Sequence, residues 1–196
     1  MKITIILSIL VLSLLFIPKK SISQEYIREY QNISEISENI ELRKYQKSTF
    51  ISYYSKEENN QNSYFRVLAG YIFGGNETKE KISMTSPVQI KLNGNQEMLF
   101  RVPEKYNTGN LPTPNNKEIK MEIEEARTVA AIRFSGYARE KNVSKHKKIL
   151  IDKLKEKNIN HDENFELWVY DDPFKIKNRR NEIIVNINSD FNTSNE

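Results

Sequence analysis

At 196 residues the chain is long enough for one domain with a substantial buried core and short for several. It carries 30 basic and 26 acidic residues and no cysteine, which excludes disulfides, thiolate metal ligands and cysteine nucleophiles. The formal charge is +4, but Lys2, Lys19 and Lys20 sit in a leader-like segment. Without them 27 basic residues face 26 acidic ones, so electrostatics gives no reason to expect a nucleic-acid partner.

Met1 to Ser23 stands apart from the rest. An apolar run extends from Ile3 to Ile17, relieved only by Thr4, Ser8 and Ser13. It is shorter than the about 20 apolar residues of a membrane-spanning helix. Ser21-Ile22-Ser23 puts small residues where a signal peptidase reads, so residues 1–23 are predicted to be a signal peptide and the mature chain to start at Gln24. The alternative is an uncleaved anchor, suggested by Pro18-Lys19-Lys20 between the apolar run and the cut site. An exported protein, periplasmic or extracellular, is expected, with no stable membrane span once the signal is cut.

Gln24 to Asn39 is polar and weakly periodic, a lead-in to a domain over residues 40–190, with residues 191–196 as a tail. The domain reads as two halves of one plan. In the first, strands are predicted at Ile40–Tyr45 and Thr49–Tyr54 from their aromatic and β-branched content. A helix is predicted from about Asn60 to Phe73, where Phe65, Leu68, Ala69 and Ile72 recur at spacings of three and four and Gly74-Gly75 ends the pattern. Strands at Ile82–Leu92 and Glu97–Val102 follow, with Asn93-Gly94 predicting a tight hairpin between them.

After a loop from Tyr106 to Lys117 the order recurs: strands at Glu118–Glu124 and Thr128–Phe134, a helix at about Val143–Lys157, and strands at Phe165–Tyr170 and Glu182–Ile187. The fold class is therefore α+β. Two strand-strand-helix-strand-strand units are expected to form a curved antiparallel sheet or distorted barrel with two flanking helices.

Catalytic signatures are missing from the sequence: there is no Gly-x-Ser-x-Gly elbow, phosphate-cradling glycine loop or His-Glu-x-x-His pair. His146 reads as a solvated residue of a lysine-rich helix and His161 as part of a polar turn. Met84, Met98 and Met121 suit core packing, although methionine and tyrosine ligate haem iron in some proteins. No metal ligand is assigned. An enzyme would need a buried carboxylate of raised pKa in the central cleft.

Five runs occur in order: YIFGGN at Tyr71–Asn76, KISMTSPV at Lys81–Val88, RVPEKY at Arg101–Tyr106, RFSGYA at Arg133–Ala138 and RRNEI at Arg179–Ile183. With these runs the chain resembles the SOUL haem-binding family over nearly all of its length after Ile40. That resemblance implies the duplicated fold and a tetrapyrrole ligand, haem or a relative, held without a covalent bond by a carrier or scavenger that is not an enzyme.

The family places its cleft beside the first helix and the loop before the last strand. By that resemblance the cofactor-binding candidates are Arg66, Leu68 and Tyr71 on one side and Phe174 and Lys175 on the other. Arg66 and Lys175 would meet the propionates. Where the family commonly has two prolines in this loop, the chain has Asp172-Pro173, and a carboxylate there would repel propionates. RRNEI is read as structural, its charges pairing at a sheet edge. A monomer is expected. The rival reading is a small-molecule effector-binding or interaction module of the same fold that does not bind haem.

Overall fold

A computed structural model describes residues 30–56, 61–94 and 96–188. The predicted signal peptide and the 191–196 tail lie outside these residues. The elements in chain order are β1 (Tyr30–Ser37), β2 (Ile40–Tyr45), β3 (Ser48–Tyr53), α1 (Gln61–Ile72), β4 (Val88–Lys91) and β5 (Met98–Arg101), then β6 (Lys120–Glu124), β7 (Arg127–Phe134), α2 (Glu140–Glu156), β8 (Glu166–Val169) and β9 (Asn181–Asn186).

The nine strands form one curved antiparallel sheet, not closed, in the order β1-β2-β7-β9-β8-β4-β5-β3-β6. The duplication seen in the sequence explains this order. The last three strands of the described second unit lie together as β7-β9-β8, those of the first as β4-β5-β3, and each unit's leading strand crosses to the other's edge, β2 onto β7 and β6 onto β3. The third strands, β4 and β8, meet in the middle, with Val88 opposite Val169 and Lys91 opposite Glu166. Neither unit completes its sheet alone.

Strand alternation divides the side chains between two faces. Ile40, Leu42, Ile51, Ile90, Phe100, Ala130, Ile132, Leu167, Ile183 and Val185 point to the helix-covered face and form the main core with Tyr64, Leu68, Leu150 and Leu154. The opposite face carries a smaller cluster of Val129, Ala131, Trp168, Tyr170 and Ile184, surrounded by charged groups. Helix α1 packs on β3 and β5, and α2 on β7 and β9. The central pair β4 and β8 is left between them.

Three local expectations change. From Tyr30 onward the lead-in is a strand, β1, whose pairing with β2 slips register twice and so hides the period-two pattern. The strand predicted from Ile82 starts only at Val88: Pro87 has no N–H for a ladder, and Thr85 and Ser86 instead donate their hydroxyls to the carbonyls of Arg101 (2.7 Å) and Tyr170 (2.9 Å). Asn93-Gly94 lies in a longer connection between β4 and β5, not in a two-residue turn. At the end of α1, Gly74 adopts φ 108° and Gly75 donates to the Gly70 carbonyl at 2.9 Å, closing the helix as predicted.

Candidate functional site

The uncovered centre of the helix-covered face is a cleft of about 660 Å3, within the range typical of small-molecule and cofactor sites. Its floor is apolar: Val88 and Ile90 of β4, Met98 of β5 and Val169 of β8. One wall is α1, where Asn62, Phe65, Arg66 and Ala69 recur at helical spacing. The other is the segment after β8, Tyr170 to Pro173, with Arg179 and Tyr137.

Of the residues selected from the sequence, Arg66 lines this cleft. Leu68 and Tyr71 sit on the other face of α1, buried in the core, and the Tyr71 hydroxyl donates to the Pro112 carbonyl at 2.8 Å. They do not reach the cleft, because a turn of about 100° per residue separates positions 64, 68, 71 and 72 from 62, 65, 66 and 69. Phe174 is 90% exposed and stands outside the lining. Lys175 is tied to Asp171, Nζ to Oδ1 2.6 Å, on the same loop. The structure thus brings Arg66 to the cleft but not the other four.

Arg179 was missed. It belongs to RRNEI, where neighbouring residues of the extended chain face opposite ways. Arg180 and Glu182 turn to one face of the sheet and Arg179 to the other, into the cleft wall. Its guanidinium is buried and donates only to main-chain carbonyls, from Nη1 to Asp172 (2.7 Å) and Lys175 (2.8 Å) and from Nη2 to Asp171 (3.3 Å). Nε is buried and has no hydrogen-bond partner among the described residues. The ring of Tyr137 lies 4.9 Å from the guanidinium carbon. Period-two alternation was the signal that could have found Arg179.

The carboxylates of the wall are already engaged. Asp172 Oδ1 accepts the backbone N–H of Phe174 (2.7 Å) and of Lys175 (3.1 Å), capping the turn. Burial pushes the Asp171 carboxyl up, but hydrogen bonds from Lys175 and the Arg180 N–H outweigh it and hold the group below its ordinary range. The bonds to Asp172 come from neutral N–H groups and orient its carboxylate without pairing it with a cation.

The two histidines lie elsewhere. His146 stacks on Phe134 at 4.4 Å with Nδ1 2.8 Å from the Asn142 carbonyl, and His161 packs edge-on against Phe165. Met84 and Met98 do line the cleft. No cluster of three or more His, Cys, Asp or Glu able to hold a metal ion occurs among the described residues.

The opposite face is built for pairing. Glu182, fully buried in β9, accepts from Arg43 of β2 (2.7 and 3.2 Å), Arg180 (2.7 and 2.9 Å) and the Tyr170 hydroxyl (2.8 Å). The Arg180 and Glu182 charges of RRNEI therefore pair in the interior of the sheet, not at its edge. Arg127 likewise holds Glu166 (2.6 and 2.9 Å) and Glu124 (3.0 Å). The cavity here is only about 40 Å3, room for a few waters and too small for an organic ligand.

Desolvation pushes the Glu124 carboxyl up to about 7, against the attraction of Arg127. The folded state then holds this proton more tightly than the unfolded chain does, so stability is lost as pH rises from about 4.5 to about 7. Glu124→Gln is expected to gain on the native protein across that window, by on the order of 2 kcal/mol between pH 5 and pH 8. Thermal unfolding of both proteins at the two pH values checks it. An unchanged difference would mean that Glu124 is ionised throughout.

The sequence comparisons agree with this architecture. Residues 27–186 match the family described as SOUL heme-binding protein. The chain belongs to that SOUL family. A curated relative, heme-binding protein 1 of Xenopus laevis, is 31% identical over 144 residues, covering 69% of this SOUL chain and 75% of the relative. Among solved structures, the C-terminal domain of EcmrR superposes with a TM-score of 0.57 at 11% identity, covering 81% of this chain and 98% of that one. A hydrolase from Listeria innocua gives 0.52 at 8% identity, covering 76% and 92%. These two show that the SOUL chain shares their fold. No helix among the described residues is long and apolar enough to cross a membrane.

Proposed function

We propose that this protein is exported and binds haem or a related tetrapyrrole non-covalently in the α1–β8 cleft, as a monomeric carrier or scavenger that catalyses no reaction. A tetrapyrrole is a flat apolar disc bearing carboxylates, so a site for it needs apolar walls and cations at the rim. The observation that carries the reading is the match of that requirement: Val88, Ile90, Met98 and Val169 make the floor, and Arg66 and Arg179 stand on facing walls. Family membership and the named relative support the ligand class. The apolar run before Ser21 supports export. Lys175, our other propionate candidate, is already paired, which leaves Arg66 and Arg179 as the cations for carboxylates.

The test is a haemin titration of the chain from Gln24 onward, followed by Soret absorbance. A saturable one-to-one shift is expected. Ala69→Trp, which fills the cleft from α1, should weaken it by about tenfold or more, the equivalent of 1.4 kcal/mol. Arg66→Ala should cost only a few-fold, because Arg66 is exposed and solvent screens its charge. His146→Ala and His161→Ala should change nothing. No saturable shift would remove haem and favour the effector-module reading.

A further inference from the structure

The tip of the loop that walls the cleft does not contribute to it. Phe174 is 90% exposed and Ile176 74%, the two most exposed large apolar side chains among the described residues. They alternate with Lys175 and Lys177, also exposed. Two such side chains projecting from one loop tip among polar residues make an exposed apolar patch of the kind that marks an interaction or membrane site.

This loop is held. Asp172 caps its turn from below, and the buried Arg179 guanidinium clamps the carbonyls of Asp172 and Lys175. Presentation of the tip therefore costs little further ordering on binding. The surroundings are basic. Tyr137, part of the cleft wall, also lines a shallow second depression with Arg139, Lys141 and Lys145. Lys175 and Asp171 pair with each other, which leaves Lys177, Arg139, Lys141 and Lys145 against Asp172 and Glu140 at the start of α2.

We propose that this lip docks on the surface of an anionic lipid bilayer, with Phe174 and Ile176 entering the interface and Lys177, Arg139, Lys141 and Lys145 facing the headgroups. Shallow apolar insertion combined with basic residues is how peripheral proteins hold an anionic membrane. A protein partner fits less well. Two projecting side chains cover far less than the roughly 800 Å2 per partner of a standard interface. Docking would set the mouth of the cleft against the lipid, where an apolar ligand partitions. It does not depend on the cleft's ligand, and the test contains no tetrapyrrole.

The chain has no cysteine, so Ile176→Cys accepts an environment-sensitive fluorophore at the tip alone, and Thr108→Cys places one on an exposed loop of the linker between the halves. Signal at position 176 reports the tip even if the N-terminal apolar segment itself touches lipid. With vesicles of phosphatidylcholine and phosphatidylserine, the probe at 176 is expected to shift to the blue and brighten, while that at 108 stays unchanged. Phe174→Ser in the same background should weaken the response by about tenfold or more, and Lys177→Gln with Lys141→Gln by several-fold. Added salt should weaken it too. Pure phosphatidylcholine should give little. The proposal is overturned by no shift at 176, by equal shifts at 176 and 108, or by a shift indifferent to phosphatidylserine. Because residues 141 and 174 to 177 are exposed, unfolding midpoints should stay unchanged, which separates lost docking from lost folding.

Discussion

Glu182→Gln is expected to lower the unfolding midpoint by roughly 10 °C or more near neutral pH. The carboxylate is wholly buried between two guanidiniums, Arg43 reaching it across β7 and Arg180 from its own strand. Burial works against the Arg43 charge, yet the bonds and attraction of Glu182 hold its pKa above the ordinary value, so it remains a cation. Removing the carboxylate charge leaves that cation with the partly exposed Glu41 (2.8 Å), the Tyr45 hydroxyl (3.3 Å) and the face of the Tyr30 ring.

Breaking a buried pair in this way costs about 3–5 kcal/mol. For a domain of this size each kcal/mol shifts the midpoint by about 2–4 °C. The pH dependence has a definite sign. Burial pushes the Glu182 carboxyl up, but Arg43 and Arg180 together hold it below 4.5. Its contribution is therefore present above about pH 4.5 and lost as pH falls through the folded-state value. The gap between native protein and variant should be widest above pH 5 and narrow in acid, as thermal unfolding monitored by circular dichroism would show. A small, pH-independent loss would mean that water reaches and compensates the site.

The second large effect belongs to the cleft. Arg179→Gln is expected to weaken binding of a dicarboxylate porphyrin about ten- to a hundred-fold while changing the affinity for its dimethyl ester far less. A charge-assisted hydrogen bond is worth about 1.5–3 kcal/mol, and the Arg179 guanidinium lines the cleft with its charge met only by neutral main-chain carbonyls. The ester arm matters because Arg179 also braces the wall through the carbonyls of Asp172 and Lys175. If the residue only braced the wall, its loss would weaken acid and ester alike. Fluorescence quenching with both ligands gives the ratio. Equal losses would leave carboxylate recognition to Arg66.

Much of the fold was legible in the chain. Apolar residues at spacings of three and four located α1, and Gly74-Gly75 marked its end, because both signals are local. The two-fold recurrence of strand-strand-helix-strand-strand located the other elements and identified the class. What escaped was local structure bent by distant partners. The slipped register of β1 erased its alternation. The hydroxyls of Thr85 and Ser86 took carbonyls of Arg101 and Tyr170 where a ladder was expected to begin.

The site divides in the same way. The sequence by itself determined that the domain has two like halves, that neither cysteine nor any familiar catalytic motif is present, and, through five dispersed runs, which family it belongs to. Those properties are read along one strand of residues, and period and composition suffice for them. Only the tertiary structure decided which side chains face the cleft. The exchange of β2 and β6 between the halves brings β4 against β8 and leaves that pair uncovered between the helices. The phase of α1 then turns Arg66 outward and Leu68 and Tyr71 inward, while the crossing of β9 sends Arg179 to the cleft and Glu182 to Arg43, 139 residues away in the chain. Contacts of that separation are set by how the halves pack, and no window along the chain contains both partners.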